Sequence, residues 1–376
     1  MQRFTSEERQ LLDDSIQGYL VDNYSFEHWR AIGQAEGHGY DADAWRTYAE
    51  LGWLGIAIPE SFGGSGGGAT ELAILMAAAG RHMVREPLLG TIAIGAASIE
   101  LAGTEEQRRE ILPQIASGRM ILAFCHMEPE AGYARDYVRT VARQVDGGFI
   151  IDGAKSFALG AHIADLLIVS TRMGSEDGPM ALFLVPGDST GVRRVQATCL
   201  DGRLGATTQF SSVQVNVNAQ LGAVDDARSI VAKLIDRGAI FVCAEACGAM
   251  SVATHATVEY LKVREQFGQP LSRFQVLQHR LVEMSVACEE ARAVVHAALE
   301  ALDDDAPHAG RAIWMAKVQT AHASRYVAAN SIQLHGGMGM TDELAIGHFY
   351  KRLAVCESLF GDADWYLAQL GSSSPN

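Results

Sequence analysis

The hydrophobic pattern changes its period twice along the chain, and this change limits the possible folds more than any other feature of the sequence. Up to about residue 118 the apolar residues recur at helical spacing. From about residue 119 to 223 they alternate with polar residues, as Val213, Val215 and Val217 do, and helical spacing then returns. This order excludes a simple doubly wound α/β fold, and no GxGxxG motif follows a predicted strand.

Two capping boxes mark helix starts in the first region. Thr5-x-x-Glu8 and Thr104-x-x-Gln107 both place a hydroxyl three residues before a carboxylate or amide. Each pair can satisfy two free N–H groups at a helix start. The second helix is predicted to stop near Gly118.

The middle region contains short strand patterns separated by turn signals. Asp152-Gly153 follows three apolar residues and predicts a hairpin turn. Apolar runs at 166–169 and 181–185 flank the polar segment 174–178, which predicts a second turn. Several short strands with such turns are typical of a small β-barrel or a sandwich.

One long helix of the third region shows a continuous apolar face. Its members are spaced alternately by four and three residues, which is typical of core packing in a helical bundle. They are Leu277, Leu281, Met284, Cys288, Ala291, Val295 and Ala298.

Composition excludes several classes of protein. With 48% apolar residues the chain can form a large core, and it has no uncharged apolar run of about 18 residues, so no membrane span is expected. The net charge of −15 disfavours nucleic acid as a partner. The six cysteines form no CxxC motif, which predicts reduced thiols and no metal site. The N-terminus lacks a secretory signal pattern, so we expect a cytoplasmic protein.

Two segments of the third region carry a specific resemblance. Residues 264–271 with 274–279 contain an RxxFG run followed by Phe274-Gln275, and residues 333–341 read QLHGGMGMT. They resemble the RxxFG…Q and QxxGGxG segments of the acyl-CoA dehydrogenase superfamily. The resemblance extends over roughly residues 5 to 370 and implies binding of the ADP half of FAD across a subunit interface. The residues it assigns to this role are Arg264, Phe267, Phe274, Gln275, Gln333, Leu334, Gly336 and Gly337.

The middle region adds two further matches to this family. Residues 124–132 resemble its TEPxAGS segment and residues 153–165 its NGxKxWITN…AD segment, which implies that Met127, Phe157 and Leu159 border the flavin ring. The family has hydroxyl side chains where this chain has Met127, Tyr133 and Leu159. Each hydrogen bond lost from the buried flavin edge costs about 1 kcal/mol or more.

The resemblance also implies the fold and its boundaries. We expect an α+β protein with the acyl-CoA dehydrogenase-like fold. Its parts are an N-terminal α-helical domain at residues 1–118, a middle β-barrel domain at 119–223 and a C-terminal four-helix bundle domain at 224–376.

The family's catalytic base has no counterpart at either of its usual positions. Ungapped, these positions fall on Phe360 and Gly238, and neither residue is a carboxylate. Asp362 and Glu245 are the weak candidates for a substitute, and each can equally be structural. The backbone N–H of residue 360 can still polarise a thioester carbonyl.

The pattern of residues 244–250 and 359–364 looks most like the pimeloyl-CoA dehydrogenase small-subunit group. This implies an FAD-dependent acyl-CoA dehydrogenase of lipid catabolism, with electrons passed to an electron-transferring flavoprotein. It also implies a homo- or hetero-tetramer with a related subunit. The alternatives are a catalytically incomplete, FAD-anchoring subunit of a heteromer and a flavin oxidase on the same fold.

Overall fold

The computed structural model describes residues 4–35 and 37–372. Its chain divides into two units, each described here by itself. The sheet unit comprises residues 32–68 and 85–238, and the helical unit comprises residues 4–31, 69–84 and 239–372. The N-terminal helices are therefore divided between the units. The three predicted domains and the two boundaries between them stay a prediction.

The α-helices of the chain lie before and after a continuous β region, as the change of period predicts. Both capping boxes are present, with Thr5 and Thr104 accepting from the backbone N–H of Glu8 and Gln107. The helices are α1 (Ser6–Asn23), α2 (Phe26–Gln34), α3 (Ala42–Glu50), α4 (Ala69–Arg81), α5 (Ala97–Ala102), α6 (Glu105–Ala116), α7 (Ala227–Val263), α8 (Gln275–Asp303), α9 (Ala309–His335), α10 (Ile346–Ser358) and α11 (Ala363–Ser372), with a π-helical segment at Leu89–Ala96.

The strands of the sheet unit form one curled sheet. They are β1 (Leu122–Cys125), β2 (Val141–Val145), β3 (Gly148–Leu159), β4 (Leu166–Met173), β5 (Met180–Pro186), β6 (Val192–Thr198) and β7 (Leu204–Asn216). β4 pairs in parallel with β1 and β2 and antiparallel with β5. β3 pairs antiparallel with β2 and β7, and β7 also pairs with β6. The predicted turn at 174–178 joins β4 to β5 as expected.

The hairpin turn predicted at Asp152-Gly153 is wrong. The turn lies at Asp146-Gly147, between β2 and β3, and Val145 pairs with Gly148 across it. β3 continues through Gly153, which has φ 149° at an irregularity of the β3–β7 pairing. A Cβ at residue 153 would lie 2.6 Å from the Cα of Thr140. Glycine is present there because Thr140, the residue before β2, comes very close. The same Asp-Gly signal six residues earlier makes the turn.

In the helical unit, α4 and α7 touch through glycines. A Cβ added to Gly80 would lie 1.8 Å from the carbonyl oxygen of Glu245, and one added to Gly248 would lie 1.9 Å from that of Ala77. The two backbones are therefore in direct contact. The apolar face predicted for α8 is present: Met284, Ala291, Val295 and Ala298 are buried and the other three members are half-buried.

The acyl-CoA dehydrogenase-like fold class is confirmed by this arrangement: helices, then a curled sheet, then a helical region. In the part of the chain that the structure describes, every helix is too short or too polar to cross a membrane.

Candidate functional site

A cavity of ≈ 500 Å³ in the helical unit brings together five of the residues predicted to bind the cofactor. It lies where α7 ends and where α9 passes into the glycine-rich segment after it. Residues of four separate segments line it: Tyr260, Arg264, Gln266, Leu271, Leu277, Gln333, Leu334, His335, Gly336, Gly337 and Met338. We call it the anchor cavity.

A two-strand hairpin fixes the backbone around Arg264. After α7 the chain forms β8 (Glu265–Gln266) and β9 (Gln269–Pro270), joined by Phe267 and Gly268 with φ of 56° and 79°. Two consecutive positive φ values are typical of a tight hairpin turn. Leu271 N–H donates to the Arg264 carbonyl at 2.8 Å, which closes the segment. The backbone of Arg264 is thereby held at the cavity wall.

The Arg264 guanidinium is a cation without a local counter-charge. Among the residues that the structure describes, no carboxylate lies within ion-pair distance of it, and the residue is exposed. Elsewhere in the same unit, exposed cations such as Arg292 and Arg325 have carboxylate partners. In a chain with a net charge of −15, an unpaired arginine beside a cavity favours an anionic ligand.

The glycines after α9 differ in what surrounds them. A Cβ added to Gly336 or Gly337 would meet no atom within 4 Å, whereas one at Gly339 would lie 2.9 Å from the carbonyl oxygen of Ile332. Packing therefore explains Gly339 but not the first two. Gly336, with φ 61°, ends α9 and leaves backbone exposed at the cavity edge. Open glycine backbone lets a ligand approach closely.

Two aromatic residues of the anchor cavity were missed from the sequence. The rings of Tyr260 and His335 stack with centroids 4.4 Å apart and planes at 24°. His335 Nδ1 lies 2.8 Å from the Ser331 carbonyl oxygen, and burial lowers the pKa of its imidazole. Both residues lie close in sequence to predicted cofactor residues, which could have identified them. Tyr260 lies one helical turn before Arg264, and His335 lies within the QLHGG run.

Three of the eight residues predicted to bind the ADP half of FAD lie outside the lining of this cavity. Phe267 is 89% exposed, and its ring contacts that of Phe274 edge-on with centroids 6.1 Å apart. Gln275 is exposed and is the first residue of α8. Within this chain the structure therefore does not bring these three to the anchor cavity.

The residues predicted to border the flavin ring lie in the sheet unit, on two adjacent segments. Met127 follows β1, and its carbonyl accepts from Ser156 N–H of β3 at 2.7 Å. Phe157 and Leu159 lie in the last part of β3, and all three predicted residues are half-buried. The structure thus brings the 127 segment and the end of β3 together.

A buried ion pair joins the same two segments. Lys155 Nζ donates to Glu128 Oε1 at 2.7 Å, to Ser170 Oγ at 3.0 Å and to the His126 carbonyl at 3.2 Å. Burial lowers the pKa of Lys155 to about 8, although Glu128 partly offsets this effect. Burial also raises the pKa of Glu128, but the Lys155 ammonium and hydrogen bonds from Thr140 bring it below its ordinary value. The pair is therefore ionised at neutral pH.

Each candidate catalytic base has a structural partner. Glu245 is 1% exposed and accepts from Arg352 Nη1 at 2.7 Å, and Arg352 also donates to the carbonyls of Met83 and Val84. Asp362 accepts from Trp365 N–H at 2.8 Å in the first turn of α11. These contacts explain both carboxylates without a catalytic role, and the assignment of a base stays a prediction.

Phe360, which the sequence predicts at one usual position of the family's base, has an unusual backbone. Its φ is 62°, which bulky side chains adopt rarely. Tyr366 Oη donates to its carbonyl at 2.8 Å, and Lys317 Nζ donates to the Cys356 carbonyl at 2.5 Å at the end of α10. One hydrogen bond to Phe360 and one to the end of α10 therefore stabilise the turn between α10 and α11.

Comparison with known proteins identifies the family. Three family models match consecutive parts of the chain: acyl-CoA dehydrogenase N-terminal domain at residues 6–119, middle domain at 123–213 and C-terminal domain at 228–373. The chain belongs to the acyl-CoA dehydrogenase family. This is a family of flavoprotein oxidoreductases acting on CH–CH bonds. The finer assignment to a small-subunit group is not decided by these matches.

Individual acyl-CoA dehydrogenase relatives match over most of their length. The chain is 30% identical to FadE12 of Mycobacterium tuberculosis over 350 residues, which cover 91% of this chain and 89% of the relative. It is 28% identical to the caffeyl-CoA reductase–Etf complex subunit CarC of Acetobacterium woodii, with 82% and 83% covered. A solved variant of the Tcur3481–Tcur3483 steroid ACAD has a TM-score of 0.88 at 29% identity, with 97% of each chain covered.

Proposed function

We propose that this chain is a subunit of an FAD-dependent acyl-CoA dehydrogenase that oxidises the Cα–Cβ bond of a CoA thioester and passes the electrons to an electron-transferring flavoprotein. The observation that carries the proposal is the anchor cavity, where an unpaired Arg264 faces the open backbone of Gly336 and Gly337. The name of CarC, which refers to an Etf complex, supports the choice of electron acceptor.

The residues of the anchor cavity fit the ADP half of FAD. Arg264 offers a charge-assisted contact to a pyrophosphate, and the Gln333 side chain can donate to phosphate or sugar oxygens. The open glycine backbone gives the ligand room. Phe267 is exposed, and neither it nor Phe274 lines the cavity of its own chain, which supports a cofactor site completed between subunits.

The chain's own residues account for part of the dehydrogenation. FAD, when bound, supplies the hydride acceptor for the β-carbon. The held turn at Phe360 can present its backbone N–H to a thioester carbonyl, which makes the α-proton more acidic. Removal of that proton requires a base near the α-carbon, and neither Phe360 nor Gly238 can accept it.

The lack of a base at residues 360 and 238 favours a second function: an FAD-anchoring subunit that completes a heteromer. Phe360 replaces a carboxylate, while Glu245 and Asp362 are engaged in structural contacts. We propose that a related subunit supplies the base, as in the small-subunit group that the sequence resembles. The steroid ACAD relative, named for two chains, is consistent with such an assembly.

An exposed apolar patch supports association with another subunit. Its apolar members on α7 and α8 are Val258, Leu281, Val282 and Val286, and we call it the α8 patch. Ser285, Glu289 and Glu290 border it. Val282 is 61% and Val286 49% exposed. Contiguous apolar surface of this kind is typical of protein–protein contacts.

Substituting Arg264 tests the cofactor site. Arg264→Ala removes a charge-assisted contact worth about 1.5–3 kcal/mol, so the Kd for FAD should rise about 10- to 100-fold. Lys262→Ala is the matched control, because Lys262 is an exposed cation two residues away that pairs with Glu259 and does not line the cavity. Equilibrium titration with FAD measures both. An unchanged Kd in the Arg264 variant would refute the anchor.

Purification of the chain alone separates the two functions. A yellow protein that reduces an electron-accepting dye when an acyl-CoA is added would support a complete dehydrogenase. If turnover appears only after a related subunit is added, the chain is the anchoring subunit. Protein that binds neither FAD nor an acyl-CoA in either preparation would contradict both.

A further inference from the structure

The last part of β3 is not fixed by its backbone pairing alone. The β3–β7 register shifts between Ile151 and Gly153 and again between Lys155 and Ala158. Lys155 is therefore the last paired residue before the second irregularity, which interrupts the pairing at residues 156 and 157. Contacts other than the pairing with β7 are needed to fix these two residues.

Lys155 supplies those contacts through its side chain. Its ammonium is fully buried and reaches three oxygens, which belong to Glu128, Ser170 and the backbone of His126. Two of the three lie in the segment 126–128 and the third in β4. One side chain thus ties the end of β3 to the 126–128 segment and to the neighbouring strand β4.

The partner carboxylate is fully occupied. Besides Lys155, Glu128 accepts from the backbone N–H of Arg139 at 2.8 Å, from that of Thr140 at 3.0 Å and from the Thr140 hydroxyl at 2.7 Å. A buried carboxylate with four donors is stable only in its ionised form. Glu128 therefore gives the ammonium a fixed counter-charge.

The orientation of His126 follows from the same network. Ser170 Oγ accepts from Lys155, so its own hydrogen is free to point to His126 Nδ1, 2.9 Å away. Burial and the nearby ammonium lower the pKa of the imidazole to about 3, so His126 is neutral. In its two neutral tautomers Nδ1 either accepts from the Ser170 hydroxyl or donates to the Ser170 oxygen, and both are compatible with the Lys155 contact.

We propose that Lys155 is a positioning residue: its ammonium holds Met127 and the Phe157–Leu159 end of β3 in the conformation that faces the flavin ring. The Ser156 N–H to Met127 carbonyl bond, at 2.7 Å, is the backbone link that this ammonium maintains. The part of the proposal that concerns the flavin rests on the proposed function. The part that concerns the two segments does not.

Hydrogen exchange tests the segments without any flavin. Lys155→Met removes the ammonium while keeping the chain length. In peptides covering 126–128 and 155–159, amide exchange should become about tenfold faster, the effect of losing one hydrogen bond to a charged group. Arg203→Met is the matched control, because it breaks the buried Arg203–Asp201 ion pair of the same unit. Unchanged exchange at 155–159, or an equal increase there in the control, would overturn the proposal.

The visible spectrum of bound flavin tests the second part. In wild-type protein saturated with FAD, the spectrum should shift with a midpoint near pH 8, where Lys155 loses its proton. The groups facing Lys155 do not titrate near that pH, because the pKa of Glu128 is lowered, that of His126 is about 3 and burial raises that of Cys125 to about 12. The Lys155→Met variant should show no such shift.

The outcomes separate this inference from the proposed function. If wild-type protein, alone or with a related subunit, never binds FAD, the proposed function fails while the exchange result still decides the role of Lys155. If FAD binds and the wild-type spectrum is constant from about pH 6 to about pH 9, Lys155 does not act on the flavin and the inference is wrong. This titration needs no variant, so it holds even if Lys155→Met fails to fold.

Discussion

Phe360 combines a rare backbone conformation with a side chain that cannot do the family's acid–base chemistry. A positive φ in an aromatic residue costs free energy, and the contacts of Tyr366 and Lys317 around the turn offset that cost. The turn is therefore stable with a phenylalanine at residue 360. This agrees with our proposal that only the backbone N–H acts at this position.

Placing a carboxylate at this position tests that proposal. With Phe360→Glu, acyl-CoA-dependent dye reduction by the flavin-loaded protein should rise at least about 100-fold, because a positioned base contributes a factor of about 10²–10⁴. Phe360→Gln is the control, since it has nearly the same shape as glutamate but no basic oxygen at neutral pH. A gain of equal size in the glutamine variant would show that side-chain volume, not basicity, limits the reaction.

For individual residues, the sequence predicts contacts between close neighbours in the chain. It misses contacts between residues that are far apart in the chain. The capping box of Thr5 and Glu8 spans three residues, and its geometry follows from helix ends alone. The Glu245–Arg352 pair spans 107 residues, so neither partner could be recognised as structural from its neighbours. The Asp152-Gly153 error has the same origin, because only the approach of Thr140 explains that glycine.

Among the elements, the contact between α4 and α7 depends on two glycines. Gly80 and Gly248 allow each helix to touch the other's carbonyl groups. The cost of glycine in a helix interior, about 1 kcal/mol each, is accepted there because the close approach excludes any side chain. Gly18 in α1 has no such reason, because a Cβ there would meet no atom within 4 Å.

Two alanine substitutions should therefore change stability in opposite directions. Gly248→Ala should lower the free energy of unfolding by about 1–3 kcal/mol, because the new methyl group overlaps the carbonyl of Ala77. Gly18→Ala in α1 should raise it by about 0.5–1 kcal/mol, since a Cβ there meets no atom within 4 Å. Chemical denaturation measures both. Destabilisation by Gly18→Ala would contradict the argument.

The periodicity of whole elements was more informative than any single residue. The four–three spacing of α8 predicted which face is buried, and Met284, Ala291, Val295 and Ala298 are buried there. It could not reveal that valines on another face of the same helix are exposed together, because Val282 and Val286 form a patch with Val258 of α7. That patch depends on tertiary structure.

For the whole molecule, the α8 patch should control assembly. The double substitution Val282→Lys and Val286→Lys places two charges in apolar surface, and a contact that buries this surface should weaken at least about tenfold. Analytical ultracentrifugation over a range of concentrations measures the association state. Val21→Lys is the control, since Val21 is 66% exposed on α1 and outside the patch. If the control dissociates equally, general charge is responsible.

The division of the chain into two units has a consequence for the order in which it folds during synthesis. All residues of the sheet unit have been synthesised once residue 238 has been added. The helical unit, in contrast, draws on both ends of the chain: Asp303 accepts from the backbone N–H groups of Ala69 and Thr70 at 2.6 and 3.0 Å. Helices α1 and α4 are therefore translated early, but their packing is completed late. For most of translation their apolar faces lack final partners, and that interval is when a nascent chain of this kind would need a chaperone.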